Sequence, residues 1–342
     1  MRTGSFSSCI ASAVAMVVAG AAIAEADPVG DFYKDKIVEL DIASSAGGAY
    51  DAYARAVARF LGDHIPGNPK VVPKNVPGAG GLKLAVSLYN TAPKDGTVIG
   101  AVIRGTVFEP TCGNAAAQFD GNKFGYIGSA NDEVSTCVAW HDTGITKLED
   151  LYTKELTVGG TGPGADTDVY PLVLNGILGT KLKLITGYPG GNDINLAMER
   201  SEVGGRCGLS WSTILATRPD WVADRKIVVL VQLALKKHAD LPDVPLVMDF
   251  AKTDEQTKML RLVFARQSLG RPYIAPPGVP AERIVALRQA FTATMRDNRF
   301  LAEAQDAKLE IEPVAGEELQ NLVRQSLDVP PALARRVAGM LK

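Results

Sequence analysis

The sequence predicts a two-lobed α/β protein. Apolar strand-like runs alternate with helical patterns, glycine-rich turns join them, and the units fall into two groups, residues 37–104 and 156–210. Such alternation builds a parallel sheet flanked by helices, with ligands beyond the carboxyl ends of its strands. A glycine turn from each group can then face the other across a cleft.

At 342 residues the chain is long enough for two domains, and its 46% hydrophobic content supplies their cores. A net charge of −2 argues against a nucleic-acid binder, which needs a basic stripe. Residues 1–26 read as an export signal, with Arg2 as the basic region and Ile10–Ala24 apolar and uncharged. Ala24-Glu25-Ala26 fits a cleavage site, making Asp27 the first mature residue. The apolar stretch is shorter than the roughly 18–20 residues of a membrane span. Cys9 lacks a lipoprotein context, and no later segment is long and apolar enough to span a bilayer. Export leaves Cys112, Cys137 and Cys207 in an oxidising compartment, which fits one disulfide and one free thiol. His64, His141 and His238 show no ligand-like spacing, so neither metal nor cofactor is expected.

The first unit sets the pattern. Ile37, Val38, Leu40 and Ile42 form a strand, Ser44–Gly48 a turn, and Tyr50, Tyr53, Ala54, Val57, Phe60 and Leu61 one helical face. The free N–H groups and positive dipole of that helix start can hold an anion. Lys70–Asn75 is a strand, Pro77–Gly81 a glycine loop, Leu82–Tyr89 a helix, Pro93–Gly96 a turn and Thr97–Ile103 a strand ending at Arg104. Residues 110–130 are irregular. Thr136–Trp140 and Leu156–Gly160 are strands, and Gly160–Gly164 is a second glycine turn before a helix over Asp166–Leu178. Strand Lys183–Thr186 enters a third turn, Gly187–Gly191. Helix Ile194–Arg200, strand Val203–Ser210 and an apolar run Lys226–Leu235, read as a strand buried on both faces, follow. Tyr273–Ala275 is a late strand, and helices cover Ala281–Arg296, Arg299–Ala307 and Glu317–Leu327.

Four segments resemble the extracytoplasmic receptors of tripartite tricarboxylate transporters, the Bug family. Gly47-Gly48-Ala49-Tyr50-Asp51-Ala52-Tyr53-Ala54-Arg55 is similar to the first signature of that family. Asn75–Gly81 followed by Ala92–Thr97 is similar to the second and is the most specific; Tyr188–Gly191 and Ala275–Pro280 are similar to later loops. The likeness runs from about residue 36 to 330. It implies a type II periplasmic binding protein, with two α/β lobes joined by two crossing strands and closing on a ligand. Lobe 1 would hold residues 27–134 and 234–342, and lobe 2 residues 135–233. The crossings fall near Ser135–Trp140 and Lys226–Leu233. The implied ligand is a di- or tricarboxylate or an aromatic acid, held by backbone N–H groups of both lobes; the implied partners are membrane transporter subunits, and the receptor is expected to be a periplasmic monomer. Two loops depart from the pattern: the third turn begins Gly187-Tyr188 where the family has Val-Pro-Tyr, and the second turn differs more. Gly162-Pro163-Gly164-Ala165-Asp166-Thr167-Asp168 has no Ser or His, and its two acids repel an anion unless they point away. Thr161 or Thr167 would supply the missing hydroxyl.

The candidate ligand-binding residues follow from these turns. Gly47, Gly48 and Ala49 form the first jaw, with Ser44 and Ser45 at the end of the strand before it. Asn75 and Gly81 belong to the second loop, where Gly78, Gly80 and Gly81 suggest unusual φ or close approach. Thr161, Gly162, Gly164, Ala165, Tyr188 and Gly190 form the opposite jaw. Arg104 ends a strand, where its fork can clamp a second carboxylate; Arg206 and Trp211 are weaker candidates. Asp51, in a first helical turn, reads as a structural acid that binds free N–H groups. Cys137 and Cys207 lie on strands of lobe 2 and form the candidate disulfide. No P-loop Lys-Ser/Thr, no G-x-S-x-G elbow and no nucleophile–base arrangement is present, which leaves an enzyme of small anions the weakest reading. The same closed surface would serve a receptor that signals to a membrane sensor kinase.

Overall fold

The computed structural model describes residues 27–341 except Ser45, Gly48, Pro163 and Pro189, together with Met1 and Gly4. The apolar stretch and cleavage site of the expected export signal lie outside the described residues. The chain begins with α1 (Pro28–Tyr33), β1 (Ile37–Ile42), α2 (Ala49–His64), β2 (Lys70–Asn75), α3 (Leu82–Asn90), β3 (Val98–Ala101) and β4 (Gly125–Ser129). It continues through β5 (Ser135–Trp140), β6 (Leu156–Gly159), α4 (Asp166–Val173), β7 (Leu182–Ile185), α5 (Gly191–Glu199), β8 (Gly205–Ser210), α6 (Trp211–Thr217), α7 (Pro219–Ala223) and β9 (Ile227–Leu233). It ends with α8 (Asp254–Phe264), β10 (Pro272–Ala275), α9 (Ala281–Thr294), α10 (Asn298–Asp306), β11 (Val314–Ala315), α11 (Gly316–Leu327) and α12 (Pro331–Met340).

Two sheets form. The first has the order β11-β4-β10-β3-β1-β2 and the second β7-β6-β8-β5-β9. The chain passes from the first to the second between β4 and β5, and returns between β9 and β10. The sheets are mixed. Parallel pairing holds for β1 with β2 and β3, and for β6 with β7 and β8. The strands next to the crossings, β5, β9, β10 and β4, pair antiparallel. The wholly parallel sheet expected from the alternation is thus corrected: the strand by which the chain enters each sheet after a crossing, β5 in the second and β10 in the first, runs against the βαβ strands, whereas β4 and β9 run with them. β9 is an edge strand, yet Leu230, Val231, Gln232 and Leu233 are buried in succession, so its second half is covered on both faces as the apolar run implies.

Local chemistry explains the elements that carry the site. Val38, Leu40 and Ile42 of β1 are fully buried, and Tyr53, Ala54, Val57 and Leu61 of α2 join them in one core cluster. The helix expected over 166–178 is α4 followed by a π-helical turn, Leu174–Leu178, which Gly179 ends at φ 78°. Cys137 on β5 and Cys207 on β8 face each other across the ladder and are joined by a disulfide, with Cα atoms 3.9 Å apart; Cys112 is free. Helices α8 and α12 lie after β9 in the chain, yet both pack on the second sheet's helices. Gln256 Nε2 donates to the Ile177 carbonyl at 2.7 Å, and Met340 lies against Gly176. One buried apolar cluster therefore runs from Leu84, Leu88 and Phe108, through Leu260, Val263 and Phe264, to Val158, Val173 and Leu174. Among the described residues no helix is long and apolar enough to cross a membrane.

Candidate functional site

Between the sheets lies a cleft of about 680 Å³. Its walls come from both: Tyr50, Ala79, Gly80, Arg104 and Arg271 on one side, Thr161, Gly164, Asp166, Arg206 and Ser210 on the other. Arg266, from the turn after α8, and Glu133, from the link between β4 and β5, complete it.

The charges are organised around two carboxylates. Glu133 is 4% exposed and accepts from Arg104 Nη1, from Arg271 Nη2 at 3.3 Å and from Ser210 Oγ at 2.6 Å. Asp166, the first residue of α4, accepts from Arg104 Nη2 and from Arg266 Nη1 at 3.3 Å. Burial works to raise both carboxyls, but the neighbouring guanidiniums hold them below the usual carboxylate range. Arg104 therefore pairs across the cleft, and Arg271 also stacks on the rings of Tyr50 and Tyr53 at 4.7 and 4.8 Å. Arg206 is different. Its Nη1 donates to the Gly191 carbonyl at 2.9 Å and to Asn195 Oδ1 at 2.8 Å, and no carboxylate among the described residues pairs with it. Burial alone pulls its pKa down to about 10.

The sequence-predicted residues divide. Arg104, Thr161, Gly164 and Ala165 line the cleft. Tyr50 lines it as well, whereas Ser44, Gly47 and Ala49 of the same turn do not; Ser45 and Gly48 lie outside the described residues. The Gly47 N–H is taken by Asp51 Oδ2 at 2.9 Å, and Asp51 also accepts from Arg55 and Asn75. Asp51 thus plays the structural part expected of it, binding one backbone N–H of the turn before its helix. Asn75 is used in that network, donating to the Ser44 carbonyl at 2.9 Å. In the second loop Gly78, Gly80 and Gly81 all take positive φ, and Gly80, with Ala79, reaches the cleft in place of Gly81. In the opposite jaw Asp168 turns inward: it accepts from Gly162 N at 2.9 Å, from Thr167 and from Thr186. Gly162 and Gly190 do not line the cleft, but Gly191 does. Tyr188 and Trp211 pack in the cluster around Trp140 and Trp221. Arg104 is not an open clamp, because Glu133 and Asp166 occupy its fork.

Sequence reasoning missed Glu133, Arg266 and Arg271, which lie in no motif. It read Asp166 as a charge to be turned away, whereas Asp166 faces the cleft and is neutralised there. His238, Glu310 and Glu312 bring possible metal-ligating atoms within 4.8 Å of one another. His238 Nδ1 accepts from the Asp240 N–H at 3.1 Å, which puts the ring proton on Nε2, the atom facing Glu310. A metal would have to displace that proton, so the trio fits a polar contact better than an ion.

No protein-family model matches the sequence, and no curated protein matches it. Solved structures do. A TctC solute-binding protein from Polaromonas superposes with a TM-score of 0.69 over 90% of this chain and 98% of that one, at 16% identity. The fold is that of the periplasmic solute-binding proteins. The periplasmic binding protein BugD matches at a TM-score of 0.59 and 21% identity over 90% of this chain and 99% of its own. MatC from Rhodopseudomonas palustris, with bound malate, matches at 0.58 and 16% identity over 90% and 99%.

Proposed function

We propose that this chain is an extracytoplasmic receptor that binds a small organic carboxylate between its two sheets. The observation that carries the reading is the charge of the cleft: four arginines line it, and one of them, Arg206, has no acidic partner among the described residues. The malate in the MatC structure is in keeping with it. Residues 27–134 with 234–342, and residues 135–233, act as the two lobes, with β5 and β9 leading across. A ligand that touches both lobes favours the closed form by its differential affinity for that form. The closed form is then recognised by a membrane transporter of the tripartite tricarboxylate type, after export to the periplasm. Binding without turnover is the expected chemistry.

The test is a thermal-shift and calorimetric panel of mono-, di- and tricarboxylates and aromatic acids. A true ligand at 100 times its Kd stabilises by about 2.7 kcal/mol. Failure of every acid to raise the melting temperature would refute the receptor reading, and detection of converted product would replace it with an enzyme.

A further inference from the structure

We propose that Arg206 is the anchor for the ligand's anionic group, and that the ligand is a monocarboxylate. This rests on the receptor reading above and narrows it.

The first argument is local. Arg206 is held in place by neutral acceptors only, the Gly191 carbonyl and the 2%-exposed Asn195. Its Nε is buried and has no hydrogen-bond partner. A half-buried cation left without a counter-charge is costly, and the structure nonetheless builds a seat for it. A Cβ on residue 191 would come within 2.5 Å of Nη2, so only glycine lets the guanidinium lie against the start of α5. That helix end is itself positive, and with the guanidinium it favours an anion.

The second argument counts charges over the whole cleft. Arg104, Arg206, Arg266 and Arg271 face Glu109, Glu133 and Asp166, and no other charged residue lines the walls. One positive charge is left over, and one monoanion cancels it. A dianion would carry its second carboxylate toward guanidiniums that Glu133 and Asp166 already occupy. It would meet like charge instead of a free fork. Leu82, Ile103 and Tyr50 offer the rest of the ligand an apolar wall.

The experiment measures Kd by calorimetry for butyrate, hexanoate and benzoate against succinate, adipate and phthalate. Wild-type protein is expected to bind a monocarboxylate about tenfold or more tighter than its matching diacid. Arg206→Met should weaken that binding about 30-fold or more. Its ligand-free melting temperature should shift by less than about 5 °C, because removal of the uncompensated charge offsets the hydrogen bonds that the Gly191 carbonyl and Asn195 lose. Arg206→Lys, which keeps the charge and loses the fork, should lie between. Asp166→Asn frees a second cationic seat and should shift preference toward the diacids. Tighter binding of diacids by wild type overturns the inference, as does wild-type-like affinity in Arg206→Met. A melting temperature lowered by more than about 5 °C in that variant makes Arg206 a structural residue and overturns it too. Wild type that binds none of the acids refutes the receptor reading itself, and this inference with it.

Discussion

Replacing Glu133 by Gln tests the centre of the charge network. In the wild type two guanidiniums share this carboxylate, those of Arg104 and Arg271. Arg104 keeps Asp166 after the change, but Arg271 keeps no acid among the described residues. The variant therefore leaves one buried guanidinium uncompensated. Removing one partner of a buried pair costs about 3–5 kcal/mol, and the amide oxygen retains an acceptor, which places the expected loss near the lower end, about 3 kcal/mol. Urea unfolding near neutral pH measures it. The sign of the pH dependence is a second check. The folded carboxyl of Glu133 lies below its ordinary value, since the two arginines and Ser210 outweigh its burial. Its contribution is thus fully present above the unfolded pKa, about 4.3, and is lost as pH falls through the folded value. The gap between wild type and Glu133→Gln should shrink as pH falls from about 7 toward about 3. A gap that stays constant with pH, or a loss under about 1 kcal/mol near neutrality, would refute the reasoning.

Two further outcomes follow from the geometry. Cys137 and Cys207 are separated by 70 residues, so the chain-entropy treatment gives their bond about 4 kcal/mol; the double serine variant should lose most of this, read from the urea midpoint at constant slope. Gly208 sits at φ 76°, and a Cβ there would lie 2.8 Å from the backbone of Asp166. Gly208→Ala should cost about 1–3 kcal/mol and also weaken carboxylate binding by displacing the start of α4, with calorimetry and unfolding run side by side.

Much of the fold was legible because its signals are local. β1 and β2 begin and end where the apolar runs and glycine turns place them, and α2, α3, α9 and α11 follow their helical faces. β4 was not legible. Its sequence is GYIGS, and a Cβ at Gly128 would lie 2.3 Å from the ring of Phe291. The glycines that let α9 pack closely dilute the strand's apolar signal. The structural role of Asp51 was readable, since its first-turn position and its partner, Gly47 N–H, lie within four residues. The charge network was not. Arg104, Glu133, Asp166 and the pair Arg266 and Arg271 come from four separate places in the chain, and an acid beside a cleft has no visible partner until folding brings one. Reading Asp166 alone gave repulsion; with Arg104 and Arg266 beside it, the same carboxylate is part of the wall.

The apolar cluster that α8 and α12 carry across both sheets has a consequence for how the molecule comes apart. Two halves linked only by a pair of strands would melt as two units. Here one large buried cluster spans both, beside a smaller cluster confined to each, so the loss of either half opens part of the interior of the other. Heat is expected to undo the protein in one cooperative step, with calorimetric and van't Hoff enthalpies in agreement. A ligand bound in the cleft would then raise the melting of the whole chain, not of one half.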